Sequence, residues 1–448
     1  MIRHRNSLRA ARRATRSFLV YRPDGFRATV RDAKPPPPVG LRRLANRFPG
    51  LRMGRNLMEA ARGRLQSESA FAVLLIRLSG FGEARRRDRD AAVDLLLSAA
   101  DALDAAARAC GGFWGLVEQD LFGLFLPAAD GYAGRLAAEA MRNAFGEGNR
   151  RNLAIGLASH PLPGFGRPQT FGNARKALDH AELIGPDGTA EFNAVSLHIS
   201  GDRRYQRGDV RGAIAEFKQA LTLAPDDPNL LNSLGVCYGV RGALDAALKN
   251  FEESARLAPE EMMPVYNAGM VHRLRSEPDL ALEKFDAAIA VGGIVFEAVF
   301  QAGRLLLETG APEAALERFR TAAALRPRSG IARRFLAEAL LALDREDEAM
   351  IALGDAVRRN PGDALALSAL GERMDLREED PEIALLYCRH SVELAPKNGE
   401  CHLRLGDAFL RRGMAEEALA AYERAARLGA DCADRMAQLR RERRSRVS

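Results

Sequence analysis

The chain has 448 residues, 66 Lys/Arg against 59 Asp/Glu (net charge +7), and 47% hydrophobic residues of which few are aromatic. That length suits two or three domains, each able to bury its own core, and the Ala-, Leu-, Arg- and Glu-rich composition is that of a helix-rich soluble protein. Five scattered cysteines (Cys110, Cys237, Cys388, Cys401, Cys432) without CxxC spacing, and dispersed histidines, exclude a disulfide framework or a zinc motif and point to a reducing, cytoplasmic setting. No stretch approaches the roughly 18 apolar residues of a membrane span. The charged N-terminus lacks the apolar centre of a secretory signal.

Residues 1–40 are expected to be a disordered basic arm. Residues 1–65 hold 17 Lys/Arg against 3 Asp/Glu, so the remainder is mildly acidic. Such an arm suits nucleic acid, anionic lipid or an acidic partner, and equally a solvated tail. Aromatics there are sparse (Phe18, Tyr21, Phe26, Phe48) and no nucleic-acid fold follows, which disfavours nucleic acid. The run Pro35–Pro38 makes a stiff spacer. Residues 41–66 form a helical linker, with Leu41, Leu44, Leu57, Ala61 and Leu65 in helical phase and a break at Pro49-Gly50.

Residues 67–193 change character. Phe71–Leu78 is a short apolar run that predicts a buried strand. A helix over 88–109 follows, ended by Gly111-Gly112. Phe113–Val117 and Leu121–Leu126 predict a hairpin, and then come a helix (131–145), a strand (153–158), a helix (170–184) and a last strand (190–192). The order predicts an α+β domain, a mostly antiparallel sheet covered on one face by helices.

From Ala194 the sequence repeats every 34 residues. Gly201, Gly235, Gly269 and Gly303 coincide, as do Gly208, Gly242 and Gly310, and Phe217, Phe251, Phe285 and Phe319. Pro225, Pro259, Pro327 and Pro361 share the period, and one extra residue near Asp380-Pro381 shifts the frame before Gly406, Gly413, Ala418 and Tyr422. A period this strict predicts an all-α solenoid. The first glycine lets the two helices of a hairpin cross closely, and the second lies in the turn, where a left-handed conformation suits it. Met436 and Leu439, at helical spacing within 431–448, predict a capping helix that runs into a basic tail.

These residues at this period resemble the tetratricopeptide repeat family, with seven units over 194–430. The resemblance implies a superhelix whose concave face, lined by the first helix of each unit, binds a protein or peptide. Asn232, Val236, Tyr266, Met270, Phe300 and Arg304 occupy the positions that usually reach that wall, and Tyr266 is expected to be an exposed anchor. The Lys/Asn set that chaperone-binding members use to clamp a C-terminal carboxylate is absent, since His198 and Asp202 stand in the first unit.

The middle segment resembles the diguanylate cyclase (GGDEF) family. Phe71–Phe81 is similar to its first strand and turn, Phe113–Pro127 to the signature hairpin, and Leu153–Ala158 to a later strand. Chemistry in that family needs paired carboxylates on Mg²⁺. The first acid falls at Arg77 or Ser79, and the signature reads Glu118-Gln119-Asp120-Leu121-Phe122. Arg85 replaces a base-reading Asn beside a matching Asp94, and Glu182 and Pro186 replace the phosphate-contacting Lys and Arg. The resemblance therefore implies a degenerate domain without catalysis, metal or cofactor. The expected function is a cytoplasmic, non-enzymatic scaffold working through the repeats. The alternative is a sensor in which the degenerate domain binds a nucleotide and controls partner access.

Overall fold

The computed structural model describes residues 40–145, 153–293 and 295–447. They fall into two units that divide at Ala258 and Pro259, each described by itself. The expected disordered arm lies outside the described residues apart from Gly40.

In the first unit, α1 (Leu41–Arg47) and α2 (Gly54–Leu65) flank the Pro49-Gly50 break, and β1 (Arg52–Met53) lies between them. Then come β2 (Phe71–Leu78), α3 (Phe81–Arg87), α4 (Arg89–Ala109), β3 (Phe113–Glu118), β4 (Leu121–Pro127), α5 (Gly131–Phe145), β5 (Leu153–His160), α6 (Gln169–Ile184) and β6 (Thr189–Glu191). Sequence periodicity missed β1 and α3, which are two and seven residues long and too short to show a period. Asp88 caps α4 by accepting from the amides of Asp90 and Ala91.

The sheet runs β1-β3-β4-β2-β5-β6. Its three central pairings are antiparallel, and the two edge pairings, β1 with β3 and β5 with β6, are parallel. The expectation of helices on one face is corrected, because both faces are covered. Phe71–Leu78 is apolar at nearly every position, which suits a strand buried on two sides rather than one. Ala72, Leu74 and Ile76 feed a core with α4 and α5, while Phe71, Val73 and Leu75 feed a second with α2 and α6.

That second core does not stop at the sheet. It takes in Leu197, Ala213, Phe217 and Leu230 from the first helical hairpins, α7 (Ala194–Gln206) with α8 (Val210–Leu223) and α9 (Pro228–Val240) with α10 (Leu244–Leu257). Apolar contact thus joins the first hairpins to the α/β layer.

The second unit holds α11 (Met262–Leu274) with α12 (Pro278–Gly292), α13 (Phe296–Glu308) with α14 (Pro312–Leu325), and α15 (Gly330–Ala342) with α16 (Glu346–Arg359). Next are α17 (Ala364–Leu376) with α18 (Pro381–Leu394) and α19 (Gly399–Arg411) with α20 (Ala415–Arg427), then α21 (Ala433–Val447). Cys432 just before α21 and Leu439 on it close the final core, as a cap must.

Every hairpin turn uses at least one left-handed residue. Gly208, Gly242, Gly310 and Gly413 supply it in four, whereas Ser276, Asp344 and Glu378 take φ of 60°, 55° and 57° in the others. The extra residue sits in the sixth turn, where Asp380 is also left-handed before Pro381 starts α18. Inside the hairpins, a Cβ added at Gly235 would lie 2.6 Å from the Phe251 ring, and the same approach recurs at Gly201 with Phe217 and Gly406 with Tyr422. The repeating aromatic covers the glycine of its own hairpin.

Candidate functional site

The first helices of the hairpins share a rule that decides which residues can meet a partner. In three of them the fifth residue packs on the aromatic of its own second helix and on the sixth residue of the next first helix. His198 lies 5.6 Å from the Phe217 ring and its Nε2 is 3.0 Å from the Ser233 hydroxyl. Tyr266 lies 5.6 Å from Phe285 and shares a hydrogen bond with Gln301. Phe300 lies 5.8 Å from Phe319 and 5.2 Å from Phe335. The fifth position is therefore a seam between neighbouring hairpins.

This geometry corrects the expected groove. Tyr266 is only 1% exposed, and burial pushes its phenol well above the ordinary range. It is core, not an open anchor, because its helix turns it into the seam. Met270 and Phe300 are buried as well, as are Asn232 and Val236 in the first unit. Of the six candidates only Arg304 reaches solvent, with 29% of its side chain exposed.

Arg304 belongs to a charged strip along α11, α13 and α15. Arg273 and Arg304 share one carboxylate, Glu308, at 3.0 and 3.2 Å. Arg304 and Arg334 both stack on the Phe335 ring, at 5.3 and 4.4 Å from its centroid. Burial, and then the guanidinium of Arg273, pulls Arg304 below the usual arginine range.

Next to this strip the seam rule breaks. The fifth residue of α15 is Arg334, the aromatic is replaced by Leu353, and the sixth residue of α17 is Ala369. Short side chains leave the seam unfilled, and a recess of about 410 Å³ opens there. Its polar wall is Arg334, Glu338, Glu372, Arg373, Glu400 and Arg404. Arg404 pairs with Glu372 at 2.9 Å and Glu400 at 2.6 Å, Arg373 lies 3.2 Å from Glu372, and Arg334 pairs with Glu338. Burial, with Glu400 adding to it, holds the Glu338 carboxyl above its ordinary range against the opposing pull of Arg334. Sequence reasoning stopped at the fourth unit. Carried further, the same fifth and ninth positions would have reached Arg334, Glu338 and Glu372, though not Arg373, Glu400 or Arg404.

In the α/β layer, Arg77 stands near the end of β2 where the cyclase resemblance expects a metal-binding acid. Its Nη1 donates to Glu182 at 2.6 Å, and Glu118 lies 3.8 Å away. Arg175 reaches Glu118 at 3.3 Å. The structure thus brings together Arg77, Glu118 and Glu182, while Asp94 and Pro186 lie exposed. Among the described residues no cluster of His, Cys, Asp or Glu could hold a metal ion, and no helix is long and apolar enough to cross a membrane. All five cysteines are unpaired thiols.

Family models described as TPR repeat and tetratricopeptide repeat match residues 201–239, 306–372 and 375–431, so the chain carries tetratricopeptide repeats in these stretches. Similar solved structures include the MamA protein, 22% identical over 38% of this chain and 93% of that one, with a TM-score of 0.35. YrrB, described as a TPR protein with an unusual peptide-binding site, is 24% identical over 40% of this chain and 91% of its own, with a TM-score of 0.35. A tetratricopeptide repeat protein from Parabacteroides merdae is 16% identical over 55% and 96%, with a TM-score of 0.44. No curated protein matches the sequence.

Proposed function

We propose that the chain is a non-enzymatic interaction scaffold that holds a peptide segment of a partner protein along the first-helix, concave wall of its repeats. The observation that carries this reading is the recess between α15 and α17 with its ring of charged side chains. A volume of about 410 Å³ is within the usual range for ligand sites, and its polar groups come from three successive first helices, as a bound segment crossing them would need. In the second unit the buried residues Tyr266, Met270 and Phe300 set the wall's shape, and Arg304 extends from it, while Asn232 and Val236 are buried in the first unit.

The 67–193 segment is a catalytically inactive, cyclase-like platform in this reading. Support comes from Arg77, which stands where the cyclase resemblance expects a metal-binding acid and is engaged by Glu182. Cyclic product from GTP or ATP, lost in Asp120→Ala, would refute that half.

The scaffold half is tested with the full chain on an array of unbiased peptides, comparing wild type with Arg304→Glu and Arg373→Glu. The expected result is a set of peptides whose binding drops by about tenfold or more in at least one variant. Peptides bound equally by all three proteins would place the binding surface elsewhere.

A further inference from the structure

Which chemistry the recess accepts follows from a count of donors and acceptors on its wall. Each guanidinium carries five N–H donors in a planar fork and no acceptor. The four carboxylates are committed: Glu372 serves both Arg373 and Arg404, Glu400 serves Arg404, and Glu338 and Asp363 serve Arg334. The donors outnumber them. The Nε groups of Arg304 and Arg373 are buried without a hydrogen-bond acceptor, and Arg334 Nε has only the Asp363 carboxylate, at 3.4 Å. Buried unsatisfied donors are uncommon, and here two of them, on α13 and α17, flank Arg334 beside the recess.

The cations are also set close to one another. Arg273 and Arg304 have one shared acid, and Arg304 and Arg334 share one ring. A wall whose carboxylates are already engaged, with guanidinium donors left over and cations held close together, favours an incoming oxyanion. It disfavours a cation, which would have to take carboxylates away from the arginines.

We propose that this wall receives an acidic segment of the partner, with internal Asp or Glu side chains entering the recess toward Arg334, Arg373 and Arg404 and a further carboxylate meeting Arg273 and Arg304. The inference rests on the scaffold reading above. Forked guanidinium groups suit bidentate carboxylate contact. Packed helices lie roughly 8–10 Å apart, and a segment in the polyproline II conformation rises about 3.1 Å per residue and returns its side chains to the same side every third residue. Acidic side chains about three residues apart therefore address neighbouring first helices.

The test is fluorescence anisotropy with the full chain and a labelled peptide carrying Glu at about every third position on a Ser/Pro background. Matched peptides carry Gln or Lys at those positions. The variants are Arg373→Glu and Arg404→Gln, with Arg86→Glu, exposed on α3 of the first unit, as the control. The expected result is saturable binding of the Glu peptide that weakens with salt. It should fall by about tenfold or more with the Gln peptide and with Arg373→Glu, and stay unchanged in Arg86→Glu. Unchanged melting temperatures keep the comparison free of unfolding, and Arg404→Gln repeats it at a second site.

Absence of Glu-peptide binding, equal binding of the Lys peptide, or indifference to both wall variants would each overturn the proposal. Lys or Gln peptide binding lost in Arg373→Glu would sink the acidic partner and leave the groove standing. Array peptides that ignore every wall variant would sink both.

Discussion

The contact between the repeating glycine and aromatic can be tested by a double-mutant cycle at Gly235 and Phe251. A Cβ at Gly235 would fall 2.6, 2.8 and 3.0 Å from Cε1, Cδ1 and Cζ of a ring with no exposed surface. Replacing a helical Gly with Ala gains about 1 kcal/mol of propensity, but overpacking costs about 1–3 kcal/mol. Three contacts at or below 3.0 Å argue for the upper end, so Gly235→Ala should destabilise by about 1–2 kcal/mol. Phe251→Leu should cost about 1 kcal/mol or somewhat more through lost packing. Together the two changes remove the clash and keep the propensity gain, leaving the double variant near wild type with a coupling of about 2 kcal/mol. The fifth hairpin already has this combination, with Ala337 and Leu353 at the equivalent positions and both buried. Because hairpins open locally, the readout is hydrogen exchange at the amides of α9 and α10 together with the urea midpoint. A double variant as unstable as the sum of the singles, within about 0.5 kcal/mol, would refute the contact as the cause.

Tyr266→Ala should cost about 3–5 kcal/mol as a large buried aromatic, measured by denaturation; a loss below about 1 kcal/mol would refute its place in the seam. Glu378→Gly should stabilise by about 1 kcal/mol, since Glu378 holds φ of 57° in a turn where Gly is unstrained; an unchanged or lower melting temperature would count against strain there. Burial holds the His198 imidazole down to about 4, below the roughly 6.5 of an unfolded chain. The unfolded state therefore takes up its proton first, stability falls as pH drops from 6.5 toward 4, and the loss between pH 7 and pH 5 should be about 2 kcal/mol greater than in His198→Gln.

The parts of the fold that were legible in sequence are those where one residue type has one mechanical use. Gly235 beneath Phe251, Gly242 in its turn and Ala247 at the helix crossing recur because each solves a local problem that few other residues solve. The expectation failed where a single residue had two solutions. Ser276, Asp344 and Glu378 adopt the same left-handed turn without being Gly, which a glycine count cannot reveal. The sheet was misjudged for a related reason. The apolar run at Phe71–Leu78 identified a buried strand, but which helices cover its second face depends on α2 and α6, far apart in sequence.

The site was harder to see because a repeat position does not have a fixed environment. Tyr266, Phe300 and Arg334 hold the same place in their helices, and two of them are seam residues. Whether the third fills its seam depends on Leu353, 19 positions on in the chain, and on Ala369 in the next hairpin. Two small residues at those places open the recess, and the charge of Arg334 then lines it. A large aromatic at Ala369, as Phe335 is in the preceding seam, would close it. Departure from the repeat is thus the signal that marks a site here. The residues that best match the repeat are occupied in holding the hairpins together, and the proposed partner site lies where the pattern lapses.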